Sequence, residues 1–318
     1  MPIAGPRTTA LYREEHASVT IERTTIEALI DRHDLLLFDA YGVLVHSGGA
    51  LPGAAAALDL VHRAGRPFFV VTNDASKLPE TAAARYRRFG LPLEPSHIVS
   101  SGQLVAGYFA THRLIGARCA VLGTVDSEHY VRRAGGEVVP PSTAFDVLVI
   151  GDETGYDFVE GVDAALTSLF HRVDAGEPVH LVLPNPDLIY PRGVRSFGIA
   201  SGSIALMLEA ALARRYGAQH APTFVRLGKP EPHLYLEALS RTNARAPVMI
   251  GDQLETDIRG GHAAGIASVL VATGVSVGAM SCDDGVRPTW WMRSVAPTGF
   301  ALDEDEDAPP LSSDGISK

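Results

Sequence analysis

The residues with chemistry to offer fall at four points, each just past a short apolar run. In LLLFDAYGVL, Asp39 closes an apolar run, and Gly42 permits a tight turn whose backbone N–H groups can face an anion. In FFVVTND, Thr72 and Asn73 end a second run and carry donors suited to phosphoryl oxygens. In LGKPEP, Lys229 is held between a glycine and a proline. In VMIGDQLETDI, Asp252 follows another run directly and Asp257 stands further on, near the start of the next helix. Carboxylates gathered at strand ends call for a cation. A hard Mg²⁺ ion takes a few carboxylate oxygens and keeps several waters, which suits Asp39 and Asp252, with Asp257 one layer out. Such an ion would cancel repulsion between Asp39, the candidate nucleophile, and a phosphate dianion. Lys229 would bring a second positive charge to the same group as negative charge spreads in the transition state.

Each element has a plainer reading when taken alone. A strand-ending Asp can be a helix cap, G-K-P a turn with a solvated lysine, T-N a turn, and Asp257 a charge at a helix N-terminus. The ordered set, each member at the end of an apolar run, is what points to one site.

Those residues can meet only if their strands lie side by side and point the same way. Short apolar runs do alternate with stretches of helical period: 35–38 then 53–64, 67–71 then 79–89, 147–150 then 157–174. The alternation continues through a strand at 179–183, a helix at 202–216, a helix after Lys229, a strand at 248–250, a helix at 254–264 and a strand at 267–271. This pattern predicts an α/β fold with a mostly parallel sheet. Ligands of such a sheet sit at the carboxyl ends of its strands.

The 318 residues amount to about two domains. With 46% hydrophobic and 20% charged residues the composition is that of a folded globular protein. A net charge of −10 and the lack of any extended Lys/Arg block argue against nucleic acid or an anionic membrane as partner. Cys119 and Cys282 lie far apart, outside any C-x-x-C pair, and encode neither a disulfide framework nor a zinc ribbon. The 12 histidines show no metal-ligand spacing. The first residues lack the apolar centre of a signal peptide, and no apolar run is long enough to span a bilayer, so cytoplasmic residence is expected. Residues 1–28 are expected to form an N-terminal arm. Residues 293–318, with Asp303 to Asp307 all acidic, are expected to form a disordered tail.

The chain resembles the haloacid dehalogenase superfamily, and within it the NagD-like, p-nitrophenylphosphatase-like branch. FDAYGVLVHSGGALPGA is similar to that branch's first motif, VVTNDASK to its second, RLGKPEPHLY to its third and IGDQLETDIRGGHAAGIASVLVATGV to its fourth. NPDLIYP followed by GIASGSI is similar to its passage from cap to core. The resemblance implies a Rossmann-like parallel-sheet core at 29–112 and 223–292 with an α/β cap inserted at 113–222. It implies Mg²⁺-dependent hydrolysis of a small phosphorylated metabolite through an aspartyl-phosphate. Asp39, the main-chain oxygen of Tyr41, Asp252 and Asp257 would serve the metal, while Thr72 and Lys229 would act in catalysis. Thr72, Asn73, Lys229 and, from the cap, Asn185 and Asp187 would meet substrate; a turn positioning Pro186 and Pro191 is the other reading of that last pair. A homodimer is left open.

One position departs from the family's pattern. Its phosphatases carry a second Asp two residues after the nucleophile, which protonates the leaving group and later deprotonates the attacking water; here that residue is Tyr41. General acid–base catalysis is worth roughly 10²–10⁴-fold, and a phenol with a pKa of about 10 is poorly matched to supply it. The same FDAYG opening occurs in the superfamily's 2-haloacid dehalogenases, whose halide leaving group needs no proton. That makes a dehalogenase acting through Asp39 an alternative, against which stands the presence of both Asp252 and Asp257. His46, in the same loop, is a second candidate acid or else a solvated loop residue. A catalytically weak protein that binds phosphorylated metabolites is a third reading.

Overall fold

In the computed structural model the described residues are 21–193, 196–274, 282 and 285–301. The apolar runs form the middle of a seven-stranded sheet with the order Glu22–Arg23, Trp290–Met292, Ala267–Val271, Pro247–Gly251, Leu35–Phe38, Phe68–Thr72, Ile98–Ser100. Every pairing in it is parallel. From Leu35–Phe38 the chain builds outward on one side through Phe68–Thr72 and returns much later to build outward on the other through Pro247–Gly251. This central strand therefore stands at the topological switch point, where the connecting chain on the two sides leaves a crevice.

A sheet with helices on both faces needs strands apolar on both faces, and Leu35–Phe38 is fully buried along its length. Leu36 and Phe38 pack into a core with Ile26, Leu29, Leu58 and Val61 of the helices Ile26–Arg32 and Ala54–Arg63. Leu35 and Leu37 turn the other way, toward Leu234, Tyr235 and Ala238 of His233–Ser240.

Between Ser100 and Pro247 the chain builds a second, five-stranded sheet, also parallel throughout, in the order Val225–Arg226, His180–Leu183, Val147–Ile150, Arg118–Leu122, Glu137–Val139. Helices Phe158–Asp174 and Ser201–Tyr216 cover one of its faces. Leu104–His112 and Val125–Arg133 cover the other. The antiparallel hairpin Ile189–Gly193 with Ser196–Ile199 projects from this unit.

The structure extends several expected boundaries. Glu22–Arg23 pair with Trp290–Trp291 inside the stretch read as an arm, and the helix capped by Thr25 begins there too and runs on to Arg32. Residues 1–20 and 302–318, most of the expected arm and tail, lie outside the described residues. The second sheet's edge strand reaches Arg226, and Leu104–His112 packs onto that sheet, so this unit takes in chain on both sides of 113–222. The expected 254–264 helix opens with a π-helical turn, Leu254–Ile258, before Arg259–Ala263. No helix among the described residues is long and apolar enough to cross a membrane. Both cysteines are buried, and neither forms a disulfide among the described residues.

Candidate active site

Because both pairings of the central strand are parallel, Asp39, Thr72 and Asp252 emerge side by side at one sheet end. Asp39 is tied to its neighbour by its backbone N–H, which donates to the Ile250 carbonyl at 2.8 Å. Beyond Asp39 the chain must turn sharply against the next strand end, and Gly42 makes that turn at φ +83°. A Cβ at Gly42 would lie 2.4 Å from Asp252 Oδ2, so only glycine lets this loop rest on the carboxylate. The π-helical turn brings Asp257 back beneath the strand that carries Asp252. One of its oxygens accepts the backbone N–H groups of Asp252 and Gln253 at 3.2 and 3.1 Å.

Asp39, Asp252 and Asp257 are all buried and offer oxygens within 4.8 Å of one another. Lys229 reaches between two of them, its Nζ 2.6 Å from Asp39 Oδ1 and 2.7 Å from Asp257 Oδ1. Burial works against the ammonium, but Asp257 and Asp39 outweigh it and hold its pKa well above the ordinary value. Burial pushes the Asp39 carboxyl up to about 7, with Lys229 pulling it down and Asp257 pushing it further up. Three buried carboxyl groups with oxygens so close together form an all-oxygen donor set, and a set of this kind fits a hard divalent cation.

Asn73 does different work from that expected. One amide N–H donates to the Lys229 carbonyl at 3.1 Å and one to Asp187 Oδ1 at 2.9 Å, while its oxygen accepts the Lys229 N–H at 2.7 Å. Both amide protons are thereby committed, and the side chain locks the Lys229 loop to the core and Asp187 to both. Asp187, with burial pushing its carboxyl up to about 6, closes the N-P-D turn in which Asn185 Oδ1 accepts the Asp187 N–H at 3.0 Å. Thr72 keeps its hydroxyl proton available, since its oxygen accepts the Asp74 N–H at 3.2 Å.

Above this floor lies a cleft of about 500 Å³ whose lining includes Asp39, Tyr41, Thr72, Asn73, Asn185 and Asp187. Lys229, Asp252 and Asp257 lie beneath it. The five-stranded sheet turns its own strand ends to the same space. Thr124 follows Arg118–Leu122, Asp152 and Glu153 follow Val147–Ile150, and Asn185 and Asp187 follow His180–Leu183. Two parallel sheets thus face each other across the cleft by their carboxyl ends.

Several lining residues escaped the sequence reading. The Arg85 guanidinium donates to the Tyr41 phenol oxygen at 2.7 Å and to the Ser47 carbonyl at 3.1 Å. Burial and the nearby Asp74 hold the Tyr41 phenol above its ordinary pKa, so it keeps its proton. Asp74 accepts the Ser76 N–H at 2.8 Å and Lys77 Nζ at 3.0 Å; these contacts outweigh burial and keep it ionised. Asp74 and Lys77 stand inside VVTNDASK and were in view, whereas Arg85 sits in a run of helical arginines that reads as a solvated face. His46 accepts the Gly48 N–H at Nδ1, 2.9 Å, within the small Val45–His46/Gly49–Ala50 hairpin.

Comparison with known proteins agrees with this architecture. Residues 36–137 match the haloacid dehalogenase-like hydrolases, and residues 226–297 match the HAD-hydrolase-like family. A D-glycerol 3-phosphate phosphatase of Mycobacterium tuberculosis is 30% identical over 83% of this chain and 70% of its own. The chain belongs to the haloacid dehalogenase-like hydrolases. Among these hydrolases it falls with the NagD-like phosphatases. A dihydroxyacetone phosphatase of Corynebacterium glutamicum is 29% identical over 84% of this chain and 91% of its own. A possible sugar phosphatase of Cytophaga hutchinsonii superposes with a TM-score of 0.74 at 28% identity, covering 87% of this chain and 99% of that one. The glycerol phosphate phosphatase of M. tuberculosis solved in complex with magnesium gives a TM-score of 0.68 at 28% identity, over 86% and 78% of the two chains.

Proposed function

We propose that this hydrolase is a Mg²⁺-dependent phosphatase of small phosphorylated metabolites that works through an aspartyl-phosphate on Asp39. The carrying observation is the buried Asp39–Asp252–Asp257 cluster with Lys229 at the foot of the cleft. Asp39, Asp252 and the Tyr41 main-chain oxygen would hold the ion, with Asp257 supporting from one layer out. When bound, the ion supplies charge neutralisation and polarises the phosphoryl group. Lys229 sets a fixed positive charge beside the attacking oxygen and keeps Asp39 available as a carboxylate. Thr72 offers its hydroxyl to a phosphoryl oxygen. Asn73 positions Lys229 rather than touching substrate. A cleft of about 500 Å³ suits a small ester, and relatives named for dihydroxyacetone phosphate and glycerol 3-phosphate support that class. We assign the unit built on the five-stranded sheet as the cap, since its strand ends roof the cleft.

Chelation with EDTA, and separately Asp252→Ala, should lower phosphate release from p-nitrophenyl phosphate by on the order of 10³-fold, the worth of several kcal/mol of charge stabilisation. Halide release from a 2-haloacid that survives EDTA would instead establish dehalogenase chemistry.

Tyr41 calls for a separate expectation. An Asp at this position restores the family's residue but ends well short of the phenol oxygen that Arg85 holds, so the guanidinium loses that partner and is free to swing toward the new carboxylate and favour its ionised form. Tyr41→Asp should therefore raise turnover of alkyl phosphates by much less than the roughly 10²–10⁴-fold that a working acid contributes. Pairing Tyr41→Asp with Arg85→Gln frees the new carboxyl to hold a proton and should raise the rate above that of Tyr41→Asp alone. Steady-state rates on ethyl phosphate decide between these outcomes, and a full gain from the single variant would show that Arg85 does not control position 41.

A further inference from the structure

With Tyr41 in the acid's usual place, the leaving-group proton must come from elsewhere in the cleft. Apart from the Asp39 nucleophile and Glu153, each carboxylate of the lining accepts a hydrogen bond from the protein. Asp74 is held ionised by Lys77 and Ser76. Asp126 accepts the Leu78 N–H at 3.0 Å. Asp187 accepts from Asn73, and Asp152 accepts the Thr154 N–H at 2.9 Å. Tyr41 holds its proton more tightly than an ordinary phenol.

Glu153 is placed differently. It follows the central strand of the five-stranded sheet, at the end that faces Asp39 across the cleft. Tyr190 lines the same cleft, and its ring stands edge-on to the Tyr41 ring at 6.4 Å between centroids. Glu153, Tyr190 and Tyr41 thus share one cleft with Asp39, which brings a cap carboxyl to the space where the family's acid works. The groups that face Glu153 are Asp152 beside it, Tyr156 after it, Tyr190 on the hairpin, and Asp74 and Lys77 from the core. Burial and then the like charge of Asp152 push its carboxyl up to about 7, so at neutral pH it exists in both the donor and the acceptor form.

We infer that Glu153 of the cap is the general acid and base of this enzyme, taking over the role of the missing core aspartate. The inference rests on the phosphatase reading above. In the first step an Asp39 carboxylate oxygen bonds to phosphorus and the P–O bond to the leaving group breaks. The leaving oxygen takes its electron pair and the Glu153 proton, departing as an alcohol. In the second step the Glu153 carboxylate removes a proton from water as the water oxygen bonds to phosphorus. The phosphorus–Asp39 bond then breaks, and inorganic phosphate leaves with Glu153 again protonated. Because the acid rides on the cap, proton transfer is available only while the cap covers the bound ester, which keeps the phosphoenzyme from forming on an open site.

The test compares ethyl phosphate, whose leaving group needs a proton, with p-nitrophenyl phosphate, whose leaving group does not. Glu153→Gln should lower the ratio of kcat/KM for the ethyl ester to that for the nitrophenyl ester by roughly 10²–10⁴-fold. The wild-type fall in ethyl phosphate kcat/KM as pH rises through about 7 should vanish in the variant. Glu153→Asp should recover part of the ratio. An unchanged ratio, or an equal loss on both esters, overturns the inference and leaves Glu153 a structural or binding residue. A wild-type protein whose p-nitrophenyl phosphate cleavage is unaffected by Asp39→Asn would overturn the phosphatase reading itself, a result distinct from either.

Discussion

Asp39→Asn should reduce phosphate release by on the order of 10⁶-fold, the loss seen when a nucleophile that acts as part of a unit is removed, while leaving the fold intact. A neutral amide cannot attack phosphorus, and nothing else on the cleft floor can replace it. Asp252 and Asp257 face the cation site and Lys229 from below. The fold should survive because Lys229 keeps its 2.7 Å partner in Asp257, so no buried charge is stranded. Two measurements check this together. Wild-type protein mixed with labelled substrate and quenched in acid should carry one alkali-labile phosphate, and the variant none. Their melting temperatures should agree closely. A variant that retained activity within tenfold of wild type would remove Asp39 from the chemistry.

Lys229→Met should cost both activity and stability, and the two losses should separate with pH. Without the ammonium, Asp39 and Asp257 lose the cation they share, and breaking a buried pair from one side costs about 3–5 kcal/mol. The stability deficit should depend on pH in a defined direction. Burial already raises the Asp39 pKa to about 7 with Lys229 opposing the rise, so losing Lys229 raises it further. A carboxyl whose folded pKa lies above its unfolded value costs stability once the pH exceeds the unfolded value, so acidification relieves the cost. In EDTA the deficit should be largest well above neutrality and shrink as the pH falls through about 7, where Asp39 takes up a proton. Added Mg²⁺ should raise the melting temperature of the variant more than that of wild type, since the ion then stands in for the lost ammonium. Catalysis should fall by roughly 10²–10³-fold even with Mg²⁺ present, the worth of one fixed group at the developing charge. Equal stability of variant and wild type at all pH values would show that Lys229 does not neutralise the cluster.

The local signals in the chain settled a great deal. Runs such as LLLF and FFVV are too short and too apolar to be surface helices, and their spacing from amphipathic stretches specifies parallel β–α units. The Leu35–Phe38, Val147–Ile150 and Ala267–Val271 strands stand where periodicity puts them. Parallel pairing then forces strand ends together, and for that reason Asp39, Thr72 and Asp252 were legible as neighbours without coordinates. Elements with weak periodicity were not legible. Glu22–Arg23 is a strand only because Trp290–Met292 offers an edge to it, and Leu104–His112 chooses its sheet by packing, not by pattern. The side-chain commitments were hidden for the same reason. That Asn73 spends its amide on Lys229 and Asp187, that Arg85 claims the Tyr41 phenol, and that Glu153 approaches from the opposite sheet all depend on partners dozens to more than a hundred residues away. The residue types and their order are written in the chain, but which proton each group has left to give is decided only when the two sheets close over one another.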